Sequence, residues 1–210
     1  MKYEENISLK YRIFNVVFLV GIFMSFSCSL MNYFLGFNKV AVLLSFICGV
    51  ITVVLFVVFK ISKNYELVSL IVVIFLSFVF FPIMWLITGG TYTSIPYYII
   101  TNAGIIVLLL TGLQRKIIVS LFALFVGGLM VTEYLRPELV VRYDSVFIRY
   151  VDIAFGLFVC LFSIAVLISV LIDSYMDELQ KSKQYLATLE EKNRELKLRT
   201  DYWKKVMLKL

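Results

Sequence analysis

The chain has 210 residues, of which 61% are apolar and only 16% charged, and its mean hydropathy is +0.95. Soluble domains carry about a quarter of charged residues, so this composition excludes an ordinary water-soluble globular protein. The net charge of +6 does not indicate nucleic-acid binding, because the basic residues lie at the ends of apolar segments and in the C-terminal tail. Membrane topology places them there. We therefore predict an all-α integral membrane protein, held by the lipid bilayer of the inner or plasma membrane.

Six apolar segments follow one another along the chain, and a bilayer span needs roughly 20 apolar residues. The predicted transmembrane helices are residues 13–35, 40–59, 66–87, 97–113, 117–134 and 146–173. The sequence thus divides into a cytoplasmic N-terminus (1–12), a six-span membrane domain (13–173) and a charged tail (174–210). Lys and Arg are concentrated on the side that carries the tail, which predicts that both termini are cytoplasmic.

Two segments on the opposite, outer side collect polar and aromatic residues. They are TGGTYTSIPYY (88–98) and EYLRPELVVRYDS (133–145), the latter leading into the last span. Tyrosine faces can bind cations, and a carboxylate just inside a span usually faces the helix bundle. The candidate ligand-binding residues are Tyr92, Tyr97, Tyr98, Asn102, Glu133, Arg136, Arg142, Arg149 and Asp152. The alternatives are an ordinary turn with interfacial aromatic residues and an ion pair between Arg149 and Asp152, three residues apart on one helix.

The tail continues the last span without Pro or Gly, and its apolar residues follow a seven-residue repeat. The first core position of the repeat holds Leu179, Leu186 and Asn193, and the second holds Leu189, Leu196 and Trp203. We call these six residues the seam. This pattern predicts a coiled coil, and a core Asn favours a dimer in one register. We expect a homodimer through this seam. The alternative is a single amphipathic helix lying on the inner membrane surface.

No motif of the sequence indicates catalysis, a metal or a cofactor. The chain contains no His, which excludes nucleophiles activated by a histidine base, and it has no phosphate-binding or zinc-protease motif. The three cysteines, Cys28, Cys48 and Cys160, lie in apolar segments and are interpreted as small hydrophobic residues. We therefore expect neither an enzyme nor a bound cofactor.

Three features together resemble the N-terminal multi-span sensor region of bacterial signalling proteins. They are the Gly89-Gly90 turn, the segment EYLRPELVVRYDS with RYVDI (149–153) after it, and the coil LATLEEKNRELKLRTD (186–201). In that group a six-span bundle precedes a coiled linker and a GGDEF-type diguanylate cyclase or a histidine kinase domain. The resemblance implies a receptor that binds a small extracytoplasmic ligand and signals to a cytoplasmic effector, in the same chain or in another.

The end of the sequence departs from that family. Asp201 stands where a cyclase domain begins, but the residues after it do not follow the cyclase pattern. Cyclase or kinase activity is therefore not expected of residues 1–210, and the output domain is expected elsewhere. A small transporter or permease component is the alternative function, with Asp152, Asn102 and Asn32 along a polar path.

Overall fold

The computed structural model describes residues 2–36, 38–62, 64–141, 143 and 145–207, without the side chains of residues 2–10 and 203–206. This part of the chain consists of helices joined by short connections. They are α1 (Lys2–Phe34), α2 (Lys39–Ser62), α3 (Tyr65–Ile74), a π-helical segment (Phe75–Phe80), α4 (Phe81–Thr88), a 3₁₀ turn (Gly90–Tyr92), α5 (Ile95–Leu109), α6 (Gly112–Leu135), a second 3₁₀ turn (Pro137–Leu139) and α7 (Val146–Met207). The predicted all-α fold is confirmed.

Five of the described helices are long and apolar enough to cross a membrane: Tyr11–Phe34, Lys39–Ser62, Tyr65–Thr88, Gly112–Leu135 and Val146–Tyr202. The predicted fourth span corresponds to α5, which has 15 residues. At a rise of 1.5 Å per residue, α5 is about 22 Å long, shorter than a hydrocarbon core of roughly 30 Å. It is shorter than the apolar segment because the extended backbone of Leu110 ends the helix.

The surface of the bundle is apolar, as lipid requires. Large side chains such as Leu19, Val54, Leu124 and Phe158 are more than half exposed. The interior holds a main apolar cluster around Met84, and a smaller aromatic cluster joins α1, α2 and α3. An apolar exterior of this extent fits a lipid environment and would promote aggregation in water.

The membrane-length helix from Tyr65 to Thr88 is interrupted by the π-helical segment just before Pro82. Proline has no N–H to donate, and its ring collides with the carbonyl four residues earlier, here that of Phe78. The wider π-helical turn relieves this mismatch. Ser77 of this segment is fully buried, and its hydroxyl oxygen accepts a hydrogen bond from Asn102 of α5.

The chain forms two compact units, Met1–Val170 and Leu171–Leu210, and the boundary lies within α7. In the second unit the four leucines of the predicted seam, Leu179, Leu186, Leu189 and Leu196, are 37% to 59% exposed. Asn193 is also exposed, and the side chain of Trp203 lies outside the described residues. The coiled coil and the dimer stay predictions, because their test needs a second chain.

Candidate functional site

The connection between α4 and α5 is a tight turn that two glycines make possible. Gly89 closes α4 with a φ of 120°, and Gly90 follows with a φ of 57°. Both angles are ones that glycine adopts without steric cost. Within the turn, the Thr93 hydroxyl donates to the Gly90 carbonyl at 2.9 Å. The backbone N–H groups of Thr91 and Ser94 have their partners on other helices.

Glu133, in the last turn of α6, binds the first of these N–H groups. Its Oε2 lies 3.1 Å from the Thr91 backbone nitrogen, and its Oε1 accepts from the Thr91 hydroxyl at 2.6 Å. The Glu133 side chain is 8% exposed. A Cβ at position 90 would collide with this carboxylate, so Gly90 also provides the space for the contact.

Asp152, in the second turn of α7, binds the other end of the turn. Its two oxygens accept from the Ser94 backbone N–H and from the Ser94 hydroxyl, each at 2.9 Å. Ser94 is the N-cap of α5, so the carboxylate lies where the helix dipole favours negative charge. We call Thr91, Ser94, Glu133 and Asp152 the turn site.

Tyr143, in the connection between α6 and α7, adds a further hydrogen bond to the Asp152 carboxylate. Burial raises the pKa of Tyr143, and the neighbouring Asp152 charge and this hydrogen bond raise it further. Both effects favour the neutral phenol. Tyr143 therefore acts as a hydrogen-bond donor to Asp152 at all ordinary pH values.

The connection between α6 and α7 also contacts the last part of α4 directly. The Val141 N–H donates to the Leu86 carbonyl of α4 at 3.0 Å. Gly156 lies on α7 one helical turn after Asp152, and a Cβ there would overlap the Cβ of Ser94 and come within 3.0 Å of its hydroxyl oxygen. The structure thus brings together segments 88–98 and 133–145, which the sequence separates.

Arg149 is not the partner of Asp152 in this arrangement. Its Nε is buried without a hydrogen bond, and its guanidinium carbon lies 5.3 Å from the centre of the Tyr150 ring. Ser94 and Tyr143 supply the hydrogen bonds to Asp152 instead. The ion pair that the sequence suggested between Arg149 and Asp152 is replaced by hydrogen bonds from the turn and from the connection between α6 and α7.

The remaining candidates in the two connections differ in exposure. Tyr92 is 51% exposed and Tyr97 is half-buried. Arg136 is exposed, and its guanidinium lies 4.0 Å from the Glu138 carboxylate, so this pair is screened by solvent and weak. Arg142 lies outside the described residues.

Tyr98 and Asn102 lie deeper, inside the bundle, where they are 5% and 1% exposed. Both line a cavity of about 60 Å³ bounded by α1, α2, α4, α5 and the π-helical segment. The Asn102 Nδ2 donates to the Ser77 hydroxyl at 2.9 Å, while its Oδ1 is buried without a partner. Of the candidate ligand-binding residues, Glu133 and Asp152 therefore belong to the turn site, and Tyr98 and Asn102 line this internal cavity.

Two residues that contact Ser94 or Asn102 in the structure were not identified from the sequence. Gly156 and Ser77 are small residues within long apolar segments, where small residues commonly allow close helix packing. A single sequence offers no signal that separates them from Gly127 or Gly128, beside which an added Cβ would meet nothing within 4 Å.

Comparisons with known proteins add no identification. No protein-family model matches the chain, and searches of curated proteins and of solved structures return no match.

Proposed function

We propose that this chain is a membrane sensor that detects a small extracytoplasmic ligand and passes a conformational change along α7 to a cytoplasmic effector. In this proposal α5 completes a bundle of six spans, both termini are cytoplasmic, and the turn site faces outward. The distribution of Lys and Arg along the sequence supports this orientation. The effector belongs to the same polypeptide or to another protein.

One observation carries the proposal: Asp152 and the leucine seam belong to the same helix. Asp152 connects α7 to the turn between α4 and α5, and α7 is assigned without a break from Val146 to Met207. A change in the turn that weakens the bonds to Asp152 would therefore act on the helix that carries the seam. Packed helices with two discrete arrangements convert small shifts of this kind into larger ones.

The ligand is proposed to act through the two connections that the turn site joins. Tyr92 and Arg136 belong to these connections and are exposed. A small ligand that contacts an aromatic ring and a guanidinium at once would pull on both connections. The ligand would then shift the equilibrium between two arrangements of the turn only if it bound one arrangement more tightly than the other.

The output is proposed to be a change in a dimeric coiled coil. The exposed leucines of the tail are apolar surface that a second chain would cover, and Asn193 would set the register of the pair. Ser182 occupies a core position of the same repeat, whereas Gln184 lies on its outer side. Cysteines at these two positions therefore form a matched pair for measuring how closely two tail helices approach along the seam.

Disulfide crosslinking in membranes tests both the dimer and its connection to the turn site. We expect Ser182→Cys to crosslink and Gln184→Cys to do so weakly, and Asn193→Leu to alter the pattern by changing register or oligomeric state. Asp152→Asn should change the crosslinking rate at position 182 by about fivefold, which corresponds to a coupling of roughly 1 kcal/mol. The control is Glu138→Gln on the exposed outer connection. Equal rates for Asp152→Asn and the control would contradict the proposal, as would equal crosslinking at positions 182 and 184.

A small transporter is the alternative, and the buried polar side chains of the bundle favour it. Asn32 lies 3.5 Å from the Ser45 hydroxyl, and Asn102 contacts Ser77 in the π-helical segment. Interrupted helices with polar contacts recur at transporter binding sites. Two results together would favour the transporter over the sensor. Proteoliposomes would take up solute and lose that uptake with Asn102→Leu, and Asp152→Asn would leave crosslinking at position 182 unchanged.

A further inference from the structure

A groove lies on the surface of the bundle, between the end of α1 and the start of α2. Its volume is about 580 Å³, which falls in the range of roughly 300–1,000 Å³ that ligand sites occupy. The internal cavity, by contrast, has a volume of about 60 Å³. The lining of the groove includes Tyr33 and Gly36 at the end of α1 and Lys39, Val42, Leu43 and Phe46 of α2.

The part of the groove that α2 forms follows one face of that helix. Lys39 is the first residue of α2, and the apolar residues Val42, Leu43 and Phe46 follow it at helical spacing. At a rise of 1.5 Å per residue, this stripe is about 10 Å long. Because α2 is a membrane-length helix, its first residue lies at the level of the lipid headgroups, and the stripe continues from there into the hydrocarbon region.

The polar groups that remain available stand at the headgroup end of the groove. The Ser29 hydroxyl, one helical turn before Tyr33, already donates to the Val42 carbonyl at 3.0 Å. Tyr33 is 69% exposed, and Lys39 is exposed as well. A phenol and an ammonium group therefore stand above an apolar floor, which is the order in which a lipid presents its phosphate and its acyl chains.

Lys39 lacks an acidic partner in the described part of the chain. The sequence contains no Asp or Glu between Glu5 and Glu66, so the pair of helices that forms the groove carries no acid near Lys39. Among the described side chains, no carboxylate forms an ion pair with Lys39. The groove thus combines an apolar floor with an uncompensated positive charge, and such a charge at the membrane surface attracts anionic lipid.

We propose that this groove is a binding site for one anionic phospholipid. An acyl chain packs against Val42, Leu43 and Phe46, and the phosphate lies at Lys39, within reach of the Tyr33 hydroxyl. A zwitterionic lipid binds less tightly, because its own cationic group is repelled by Lys39. The groove is separate from the turn site, so the proposal holds whether the chain is a sensor or a transporter.

Native mass spectrometry tests the headgroup preference on the complete chain in detergent micelles, titrated with phosphatidylglycerol or phosphatidylcholine of identical acyl chains. We expect saturable binding of one phosphatidylglycerol, about fivefold tighter than phosphatidylcholine, as for one basic residue at a membrane surface. Lys39→Gln should remove this preference. Lys116→Gln, the same change at an exposed position of α6, should retain it. Equal binding of the two lipids by the parent chain would overturn the proposal, as would equal effects of the two substitutions.

A second pair of variants and a photoreactive lipid locate the bound molecule. Leu43→Trp should fill the groove and weaken the binding of both lipids, whereas Leu124→Trp on α6 should not; the two leucines are 58% and 74% exposed. Phosphatidylglycerol with a diazirine in the upper part of one acyl chain should label residues 39–46 more strongly than residues 112–135. Equal labelling of the two ranges would reveal only a general lipid layer around the bundle and would refute the site.

Discussion

The close approach of α7 to the turn predicts that Gly156→Ala destabilises the protein, although alanine is the better helix former. In an unconstrained helix the change from Gly to Ala gains about 1 kcal/mol. At position 156 the new methyl group would overlap the Ser94 Cβ and lie 3.0 Å from the Ser94 hydroxyl oxygen. Carbon contacts are optimal at about 3.5–4.0 Å, so Ser94 and α7 must separate by about 1 Å or more.

The separation acts on the hydrogen bonds of the turn site. Both bonds between Ser94 and Asp152 are 2.9 Å long, and an increase of about 1 Å takes them beyond hydrogen-bonding distance. Each bond to a charged group contributes about 1.5–3 kcal/mol. If the helices hold their positions instead, overpacking costs about 1–3 kcal/mol. Either response exceeds the gain in helix propensity, and we expect a net loss of about 2 kcal/mol.

Reversible unfolding by SDS in mixed micelles measures this loss as a free energy of unfolding. Gly104→Ala on α5 is the matched control, because an added Cβ there meets nothing within 4 Å. The control should be neutral or more stable than the parent chain. If Gly156→Ala and Gly104→Ala change the unfolding free energy by the same amount, the packing of Ser94 against α7 is refuted.

Three further changes test the turn and the helix ends. Gly90→Ala should lower the unfolding free energy more than Gly112→Ala. The backbone φ is positive at both positions (57° and 60°), but only at Gly90 would the new methyl group meet Glu133. Equal losses of unfolding free energy in the two variants would contradict this contact. The raised pKa of Tyr143 contributes stability that is present below the unfolded-state value of about 10 and lost as pH rises above it. The stability advantage of the parent chain over Tyr143→Phe should therefore shrink above pH 10 in pH-dependent melting curves, and parallel curves would exclude the assigned burial. Asn64→Ala removes the side-chain cap of α3 and should cost about 1 kcal/mol in the SDS titration, whereas an unchanged midpoint would show that the cap contributes nothing.

The helices were predictable because their signal is local. Apolar segments of membrane length indicate helices without any knowledge of neighbouring elements, and the predicted span 117–134 lies within α6, Gly112–Leu135. The length of α5 was less predictable, because it depends on where Leu110 leaves the helical conformation. The π-helical segment before Pro82 was also missed, although a proline within an apolar segment is a local signal of a kink.

The candidate site was predictable as a set of residues and only partly as an arrangement. Glu133 and Asp152 were selected because carboxylates near span ends are unusual. Arg149 was the expected partner of Asp152 because helix spacing is the only proximity that a sequence displays. The internal cavity had no sequence signal, because it is a gap among five segments of the chain rather than a property of any one of them.

What the sequence determined by itself was an all-helical protein with membrane-length helices and a charged helical tail, because an apolar segment in lipid must satisfy its backbone hydrogen bonds internally. What only the tertiary structure decided was which groups meet. The contacts of Glu133 with Thr91 and of Asp152 with Ser94 span 42 and 58 residues of sequence. Packing of helices brings such groups within hydrogen-bonding distance, and no local pattern of residue types encodes that distance.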